Sequence, residues 1–301
     1  MTIKPMLACD FDEGKLRFPL IAQPKTDGVR SLHVTGALTG RSLKPHKNRY
    51  VTEQFSDPRY AGLDGEMFRG PKSNITAQSL CRDTSSDLGT IKGEPQVCWK
   101  VFDYITEQSA KLPYVHRFVL LQDAVERLGN PAVFAVDSRW CRTISDLYSL
   151  EEMWLALGYE GACIRDPEGM YKEGRCTVKE GGLLRIKRFV DAEALVTGIE
   201  EGNQNENEAT VGLLGQTERS SHQENMVPNG MLGTLLCTEI LTGLPIRVSA
   251  GEMGHDTRKL YFDHPELIVG KVAVFKHFPK GRKVQPRFAT FKCIRNVEDM
   301  S

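Results

Sequence analysis

Four short motifs contain the residues of this chain whose types and spacing could do chemistry. A lysine amine can act as a nucleophile, carboxylates can hold a metal ion, and paired cations can neutralise phosphate. Each motif alone is common in proteins, whereas four of them in one order indicate a shared site. The motifs are Lys25-Thr26-Asp27-Gly28-Val29-Arg30, Leu63-Asp64-Gly65-Glu66, Glu160-Gly161-Ala162-Cys163-Ile164-Arg165 and Leu183-Leu184-Arg185-Ile186-Lys187-Arg188.

Other signatures of phosphate handling and hydrolysis are missing from the sequence. There is no Gly-x-x-x-x-Gly-Lys-Ser/Thr loop and no Gly-x-Gly-x-x-Gly run, so neither P-loop nor Rossmann binding of a nucleotide is supported. The absence of Gly-x-Ser-x-Gly and His-Glu-x-x-His runs weighs against a serine hydrolase and a zinc protease.

In this order and at nearly this spacing, the motifs resemble those of the covalent nucleotidyltransferase superfamily, which contains DNA ligases, RNA ligases and mRNA capping enzymes. Within it, the sequence is most similar to the minimal ATP-dependent DNA ligases of viruses and phages, of the Chlorella virus type. The likeness covers nearly the whole chain. Its further segments are Lys4–Ala8, Leu43–Pro45, Phe102–Tyr104, Tyr171-Lys172, Asp191–Ala194, Arg219–His222 and Pro286–Phe288.

The resemblance implies an enzyme that uses ATP and Mg²⁺ (or Mn²⁺) to seal nicks between a 3′-hydroxyl and a 5′-phosphate in duplex DNA. Lys25 would displace pyrophosphate from ATP, AMP would pass to the 5′-phosphate, and the 3′-hydroxyl would then displace AMP. Each step is an in-line phosphoryl transfer, which proteins catalyse mainly by positioning and charge neutralisation.

The resemblance also assigns roles around the nucleotide. Asp27 would orient the Lys25 amine or its supporting strand, and Gly28 would permit a close backbone approach. Arg185 and Lys187 alternate with Ile186, so both project to one side of a strand, as contacts to the α-phosphate require. The other implied contacts are Arg30 to the ribose or phosphates, Glu66 to the ribose hydroxyls near a metal ion, Phe102 to the adenine face, Gln23 to the adenine exocyclic amine, and Glu160 to the metal ion.

Four basic residues in the matching segments are implied to contact DNA. Arg41 corresponds to the family arginine that grips the 5′-phosphate, where a bidentate geometry is favourable. The others are Lys44, Arg219 and Arg287.

Lys25 must lose its proton before it can attack phosphorus, although the pKa of a free lysine is about 10.4. Holding the amine neutral near neutral pH costs roughly 4 kcal/mol, from three pKa units at about 1.36 kcal/mol each. Neighbouring cations lower the pKa of a lysine. We therefore expect Arg30, Arg185, Lys187 and a metal ion to lower the pKa of Lys25.

The length of 301 residues predicts two domains, and the resemblance implies an α+β fold. Residues 1–189 mix strands and helices, as expected for a nucleotidyltransferase (adenylation) domain with antiparallel, ATP-grasp-like sheets. Residues 190–301 change to short strands, which fit an OB-fold β-barrel. A polar stretch at 202–230 interrupts this barrel, and we expect a long loop there that is disordered without DNA.

Predicted strands and helices follow from these patterns. The apolar side of the first helix is expected to include Phe118, Val119, Val125 and Leu128. The predicted strands are Pro19–Pro24, Ser31–Thr35, Leu63–Phe68, Val97–Ile105, Ala132–Ser138, Ala162–Arg165, Glu193–Glu200, Leu232–Ile240, Pro245–Ala250, Lys271–Phe278 and Ala289–Arg295, and the predicted helices are Val115–Leu128, Asp146–Leu157 and Asp256–Leu267.

The charge distribution suits a nucleic-acid partner only locally, because the formal net charge is zero. Two segments, residues 15–49 and 271–297, are rich in lysine and arginine and indicate a polarised face. With the resemblance, they predict contacts to the backbone of nicked duplex DNA without sequence readout, by a monomer that encircles the duplex.

The eight cysteines contain no Cys-x-x-Cys pair, which indicates a reducing compartment and neither a disulfide framework nor a zinc site. The sequence shows no apolar leader and no run of 18 apolar residues. We therefore expect a protein that is not secreted, does not enter a membrane, and acts in the cytoplasm (of the host cell, if the protein is viral).

Three features depart from the family pattern. Arg185 stands where the family usually has lysine, so the group there keeps its charge at all times. Asp299 is followed by Met300 where a basic residue is usual. The 202–230 stretch corresponds to a DNA-encircling latch, yet it carries four acids and Arg219 as its one arginine or lysine, so its electrostatic grip should be weak.

Two alternatives remain open. An RNA ligase or a capping guanylyltransferase would share the Lys25 motif, although the barrel interruption and the Pro286-Arg287-Phe288 ending favour a DNA ligase. A non-catalytic OB nucleic-acid-binding protein with a degenerate transferase domain is the alternative from another class, and the complete set of motif residues argues against it.

Overall fold

The computed structural model describes residues 3–70, 81–212, 215, 217–220, 222–278 and 286–295, without the side chains of 81–83 and 287. The chain divides into two compact units, Met1–Lys187 and Arg188–Ser301. Both are dominated by sheets, and helices cover the sheets of the first unit. The mixed α+β class predicted from the sequence is confirmed.

The first unit contains twelve strands and four α-helices among the described residues. The strands are β1 (Met6–Leu7), β2 (Cys9–Asp10), β3 (Leu20–Pro24), β4 (Val29–Leu32), β5 (Thr39–Gly40), β6 (Leu63–Arg69), β7 (Val97–Tyr104), β8 (Val133–Ala135), β9 (Arg139–Cys141), β10 (Gly161–Arg165), β11 (Gly174–Arg175) and β12 (Leu183–Lys187). The helices are α1 (Arg49–Gln54), α2 (Cys81–Gly89), α3 (Tyr114–Leu128) and α4 (Ile144–Ala156).

One five-stranded sheet has the order β2-β12-β10-β3-β9. Every residue of β3 is buried, as its continuous apolar sequence requires. Helix α4 begins with a capping box, in which Thr143 and Asp146 each bond the other's backbone N–H. It buries Leu147 and Trp154 in the core of this sheet. Burial of these two α4 side chains holds β3 and β10 next to each other.

A second five-stranded sheet has the order β5-β4-β6-β7-β8. Its core packs the aromatic rings of Phe55, Tyr60 and Trp99 against one another. Helix α3 contributes Leu121 to this core and ends at Gly129, whose φ of 59° is the left-handed conformation that favours glycine. The predicted apolar side of this helix was wrong at Val119, which is 52% exposed.

The second unit is built on a closed barrel in the order β13-β16-β17-β19-β18. Its core contains Leu235, Val248 and Phe275, and α5 packs Tyr261 and Phe262 against it. The elements of this unit are β13 (Val190–Asn205), β14 (Ala209–Val211), β15 (Thr217–Arg219), β16 (Met226–Glu239), β17 (Pro245–Ser249), α5 (His255–Asp263), β18 (Val272–Phe278) and β19 (Arg287–Ile294).

The stretch at 202–230 is not the long irregular loop predicted from its composition. Strands β13 and β16 remain paired as far as Asn205 and Met226, and β14 pairs with β15 beyond them. We call these paired strands the ribbon (the described residues of 202–230). Most ribbon residues are exposed, so no alternation of apolar and polar residues marks them as strands.

A buried asparagine ties the ribbon together. The Asn207 amide donates to the backbone oxygens of Ser220 and His222, at 3.0 and 2.9 Å, and accepts a bond from Asn225. Arg219 donates to the backbone oxygen of Asn207. The prediction that this stretch is disordered without DNA was therefore wrong, because the ribbon is paired and bonded in the protein alone.

No helix in the described part of the chain is long and apolar enough to cross a bilayer. The cysteines whose side chains the structure describes are all free thiols.

Candidate active site

Lys25 directly follows β3, and its backbone is fixed to the strand that carries the third motif. Its N–H donates to the Gly161 oxygen at 3.0 Å, and its own carbonyl accepts from the Glu160 N–H at 2.9 Å. These two hydrogen bonds hold the first and third motifs together, although Lys25 and Glu160 are 135 residues apart in the sequence.

Gly28 lies in the turn into β4, where the backbone comes very close to β6. A Cβ atom at this position would lie 2.3 Å from the Met67 oxygen and 2.8 Å from Cγ of Glu66. Backbone cannot move aside as a flexible side chain can, so this position requires glycine.

Gly28→Ala is therefore expected to destabilise the protein by about 2 kcal/mol or more and to reduce nucleotide binding, because β6 carries Glu66. Chemical denaturation would measure the first effect. Gly14→Ala is the matched control, since its nearest neighbour atom would be 3.6 Å from the new Cβ. Equal stability of the two variants would contradict the proposed close approach.

The sheet registers place the motif side chains in rows. In the first sheet, Arg185 pairs with Cys163 on one side and Asp10 on the other, and Cys163 pairs with Gln23. In the second sheet, Glu66 lies between Arg30 and Lys100. Residues with the same register lie on the same face of a sheet. Each row therefore presents a set of polar side chains together.

Both rows line one cavity of about 210 Å³ in the first unit. Of the residues assigned from the sequence, the cavity lining includes Gln23, Lys25, Arg30, Arg41, Glu66, Phe102 and Arg185. Glu160 and Lys187 lie beside Lys25, since one carboxylate oxygen of Glu160 pairs with Lys25 and the other lies 3.6 Å from Nζ of Lys187. The structure thus brings together the assigned residues of all four motifs except Asp27.

The electrostatics of Lys25 differ from the prediction. Burial lowers its pKa, but the attraction of nearby acids, Glu160 foremost, outweighs burial and raises the pKa above its ordinary value. Two of the cations expected to lower it are neutralised by acids. Arg30 is bidentate to Asp64, at 2.5 and 2.6 Å, and Arg185 pairs with Asp10 at 2.6 Å. The expected lowering of the Lys25 pKa was therefore wrong for the protein alone.

Glu66 is a second carboxylate in the cavity. Burial raises its pKa to about 7, and the negative charge of Glu160 adds to the rise, whereas Lys25 and Arg30 oppose it. A buried carboxylate with a raised pKa favours the arrival of a cation.

The described residues contain no cluster of three or more His, Cys, Asp and Glu side chains that could hold a metal ion by themselves. Mg²⁺ is nevertheless commonly held by one or two carboxylates together with phosphate oxygens. Glu66 and Glu160 therefore fit a metal ion that arrives with ATP.

The remaining assigned residues lie away from the cavity lining. Asp27 and Lys44 are in the first unit, and Lys44 is exposed in the turn after β5. Arg219 is exposed in the ribbon, where one nitrogen of its guanidinium donates to the Asn207 carbonyl. Arg287 begins β19, and its side chain is outside the described residues, as are Asp299 and Met300.

Sequence reasoning missed Lys100, which lines the cavity and is 3% exposed. Its amine donates to the Thr26 hydroxyl at 3.2 Å and the Tyr159 hydroxyl at 3.1 Å. Burial lowers its pKa to about 8, against the opposing effects of Cys98 and Asp137. No sequence motif marks this lysine, because its place depends on the register of β6 and β7.

A buried ionic cluster, whose Arg165 lines the cavity, was also missed. Asp103 bonds to both Arg117 and Arg165, at 2.8 and 3.0 Å, and all three side chains are at most 2% exposed. Arg165 also lies 4.5 Å from the centre of the Tyr114 ring. Asp103 and Arg165 each belong to a segment that resembles the ligases, and this resemblance was the sequence signal that could have identified them. The cluster joins α3 to the ends of β7 and β10.

The family of this chain follows from its similarity to known proteins. The family model described as "ATP dependent DNA ligase domain" matches residues 5–187, which is nearly all of the unit that contains the cavity. The chain belongs to the ATP-dependent DNA ligase family. Its resemblance to ligases, stated from the motifs alone, is thereby confirmed.

Proteins with similar sequences include viral DNA ligases. The chain is 24% identical over 143 residues to the DNA ligase of African swine fever virus (strain Badajoz 1971 Vero-adapted). This match covers 46% of the chain and 32% of the relative, so it spans about a third of the viral protein.

Solved structures resemble nearly the whole chain. The Chlorella virus DNA ligase-adenylate is 26% identical, with a TM-score of 0.55 and coverage of 98% of this chain and 100% of that one. A structure from a study of Lig E DNA ligases is 21% identical, with a TM-score of 0.67 and coverage of 97% and 100%. The second likeness shows the fold alone.

Proposed function

We propose that the protein is an ATP-dependent DNA ligase that seals 3′-hydroxyl/5′-phosphate nicks in duplex DNA. The observation that carries this proposal is the position of Lys25 in the wall of a cavity that also presents Arg30, Glu66 and Phe102, with Glu160 on its amine. Family membership supports ATP as the nucleotide. The Chlorella virus structure is that of a ligase-adenylate, which supports a covalent intermediate of the same kind.

In the first step, Nζ of Lys25 attacks the α-phosphorus of ATP, a P–N bond forms, and the bond to pyrophosphate breaks. The ammonium must first lose a proton, and Glu160, which accepts its hydrogen bond, is placed to take it. Arg185 and Lys187 supply positive charge beside the reacting phosphate. Phe102 and Gln23 hold the base, Arg30 contacts the ribose or phosphates, and Glu66 contacts the ribose hydroxyls.

A divalent metal ion, Mg²⁺ or Mn²⁺, would be held by Glu66 and Glu160 and would neutralise phosphate charge. In the later steps, AMP passes from Lys25 to the 5′-phosphate of the nick, and the 3′-hydroxyl then attacks that phosphate and displaces AMP. Arg41, in the cavity lining, would hold the 5′-phosphate, and Lys44 would contact DNA beside it.

The second unit supports a role in DNA binding. Written by position along the chain, its barrel strands have the order 1-2-3-5-4, the order of an OB barrel, which commonly binds nucleic acid. We infer that residues 1–189 form the adenylation domain and 190–301 an OB-fold domain. The ribbon would be the latch by which a monomer encircles the duplex, with Arg219 and Arg287 contributing contacts.

The test is a sealing assay with ATP and Mg²⁺ on three matched substrates: nicked DNA, DNA nicked opposite RNA, and nicked RNA. We expect efficient sealing of nicked DNA and covalent labelling of the protein by α-labelled ATP. Labelling by GTP alone would indicate a capping guanylyltransferase, and preferential sealing of nicked RNA would indicate an RNA ligase. No labelling by either nucleotide would indicate a non-catalytic binding protein.

A further inference from the structure

Tyr114, the first residue of α3, connects the two residues assigned to the adenine base. Its side chain is fully buried. Its hydroxyl donates a hydrogen bond to the Phe102 carbonyl at 2.9 Å and accepts one from Nε2 of Gln23 at 2.6 Å. No motif drew attention to this tyrosine. One hydroxyl thus joins the residue expected to stack on the base to the residue expected to read its edge.

The directions of these hydrogen bonds follow from which groups can donate and which can only accept. A backbone carbonyl can only accept, so the hydrogen of the Tyr114 hydroxyl is committed to Phe102. Burial raises the pKa of Tyr114, so this hydrogen remains in place at neutral pH. The hydroxyl can therefore offer Gln23 only a lone pair, and Gln23 must present an N–H to it.

The second N–H of the Gln23 amide donates to the Ser138 hydroxyl at 2.8 Å. Both amide hydrogens are then used inside the protein, and Oε1 is the polar atom that Gln23 retains for a ligand in the cavity it lines. A reversed amide would place Oε1 against the lone pairs of Tyr114 and leave both oxygens without a hydrogen. Ser138 does not impose this orientation, since a hydroxyl can donate as well as accept.

We propose that Tyr114 sets the nucleobase specificity of the cavity by fixing the Gln23 amide with its oxygen toward the base. The fixed oxygen accepts a hydrogen bond from the amine of a 6-aminopurine and faces the oxygen of a 6-oxopurine, which it repels. Tyr114 is thus a positioning residue that acts through Gln23. The inference rests on the proposed function in one respect, namely that Gln23 contacts the base.

The test compares covalent labelling of the protein by α-labelled ATP and α-labelled ITP. Inosine carries an oxygen in place of the 6-amine and a hydrogen on N1, and is otherwise the same base. In Tyr114→Phe the amide is free to turn, and we expect the ratio of ATP to ITP labelling rates to fall about tenfold or more, through faster use of ITP as well as slower use of ATP. Ser138→Ala should change the ratio less than about threefold, because the tyrosine still orients the amide.

Tyr60→Phe is the matched control. It also removes a buried hydroxyl with a hydrogen bond, from Asn130 at 2.9 Å, but in the core of the second sheet and outside the cavity lining. Its ATP-to-ITP ratio should equal that of the unaltered protein. If Tyr114→Phe slows labelling by both nucleotides equally, the tyrosine is merely structural and the proposal is overturned.

Two substitutions of Gln23 separate failure of this inference from failure of the proposed function, and they do not depend on the folding of Tyr114→Phe. Gln23→Glu still presents an acceptor to the base and should retain the preference for ATP, whereas Gln23→Leu should lose it. Because either carboxylate oxygen can accept, loss of the preference in Gln23→Glu would show that no acceptor at this position reads the base, and would overturn the proposal. If Gln23→Leu keeps the full preference, Gln23 does not contact the base, and that part of the proposed function is wrong.

Discussion

Replacement of Lys25 by alanine should reduce covalent labelling by α-labelled ATP by more than about a thousandfold, because the variant lacks the only amine in the proposed first step. The same variant should still seal a nick that already carries AMP on its 5′-phosphate, since the last step uses the 3′-hydroxyl as nucleophile. Quantification of protein-bound label and of sealing on the two kinds of nick would measure both effects.

Two further variants test whether the loss of labelling in Lys25→Ala is due to the missing amine. Lys25→Arg keeps a positive charge beside Glu160 but should remain unlabelled, because a guanidinium does not deprotonate in a protein. Lys15→Ala removes an exposed lysine that pairs with Asp12 and should label normally. Labelling of Lys25→Ala at the rate of the unaltered protein would show that another residue is the nucleophile.

Glu160→Gln should slow lysine adenylation by roughly a hundredfold or more, since the amide can neither take a proton from Lys25 nor bind a metal ion as a carboxylate does. The substitution preserves shape at a buried position, where Glu160 is 4% exposed. Single-turnover labelling with α-labelled ATP isolates this step. Glu168→Gln, at an exposed position after β10, is the control and should have no effect.

The structure also offers a competing role for Glu160, and the same experiment distinguishes the two. Glu160 helps to raise the pKa of Lys25, so its removal makes the amine easier to deprotonate. If Glu160 did nothing but restrain the ammonium, Glu160→Gln would label faster than the unaltered protein at neutral pH, and the difference would vanish as the pH rose. Faster labelling would therefore contradict the proposed role as base and metal ligand.

The strands and helices that bury one face or both were predictable from the sequence. Helix α4, for example, differs from its prediction by two residues at its start and by one at its end, because its apolar spacing points to it whereas the Thr143 cap that sets its start was not recognised. Two-residue strands such as β1 and β2 carry too little pattern to be recognised. The ribbon was misread as a loop because composition alone does not distinguish solvated strands from loops.

The composition of the cavity wall was largely predictable, whereas its electrostatics were not. Motifs identify residues whose chemistry is fixed by type, such as Lys25 and Glu66. The direction of the Lys25 pKa depends on which charges are already paired. Asp64 and Asp10 neutralise arginines that are distant in sequence, and only the sheet registers reveal those pairs. Tyr114 was invisible for the same reason, since its role consists of two tertiary hydrogen bonds.

The pairing of the ribbon in the protein alone has a consequence for the thermodynamics of association. Ordering a residue of flexible chain costs about 1–2 kcal/mol in conformational entropy for the backbone alone. A segment that must fold around its partner incurs that cost during binding, and its measured affinity falls accordingly. In this protein the Asn207 hydrogen bonds and the strand pairs of the ribbon form during folding. In the proposed role as a latch, the ribbon would therefore be preorganised, and its small entropic penalty on contact would compensate for its weak electrostatic attraction.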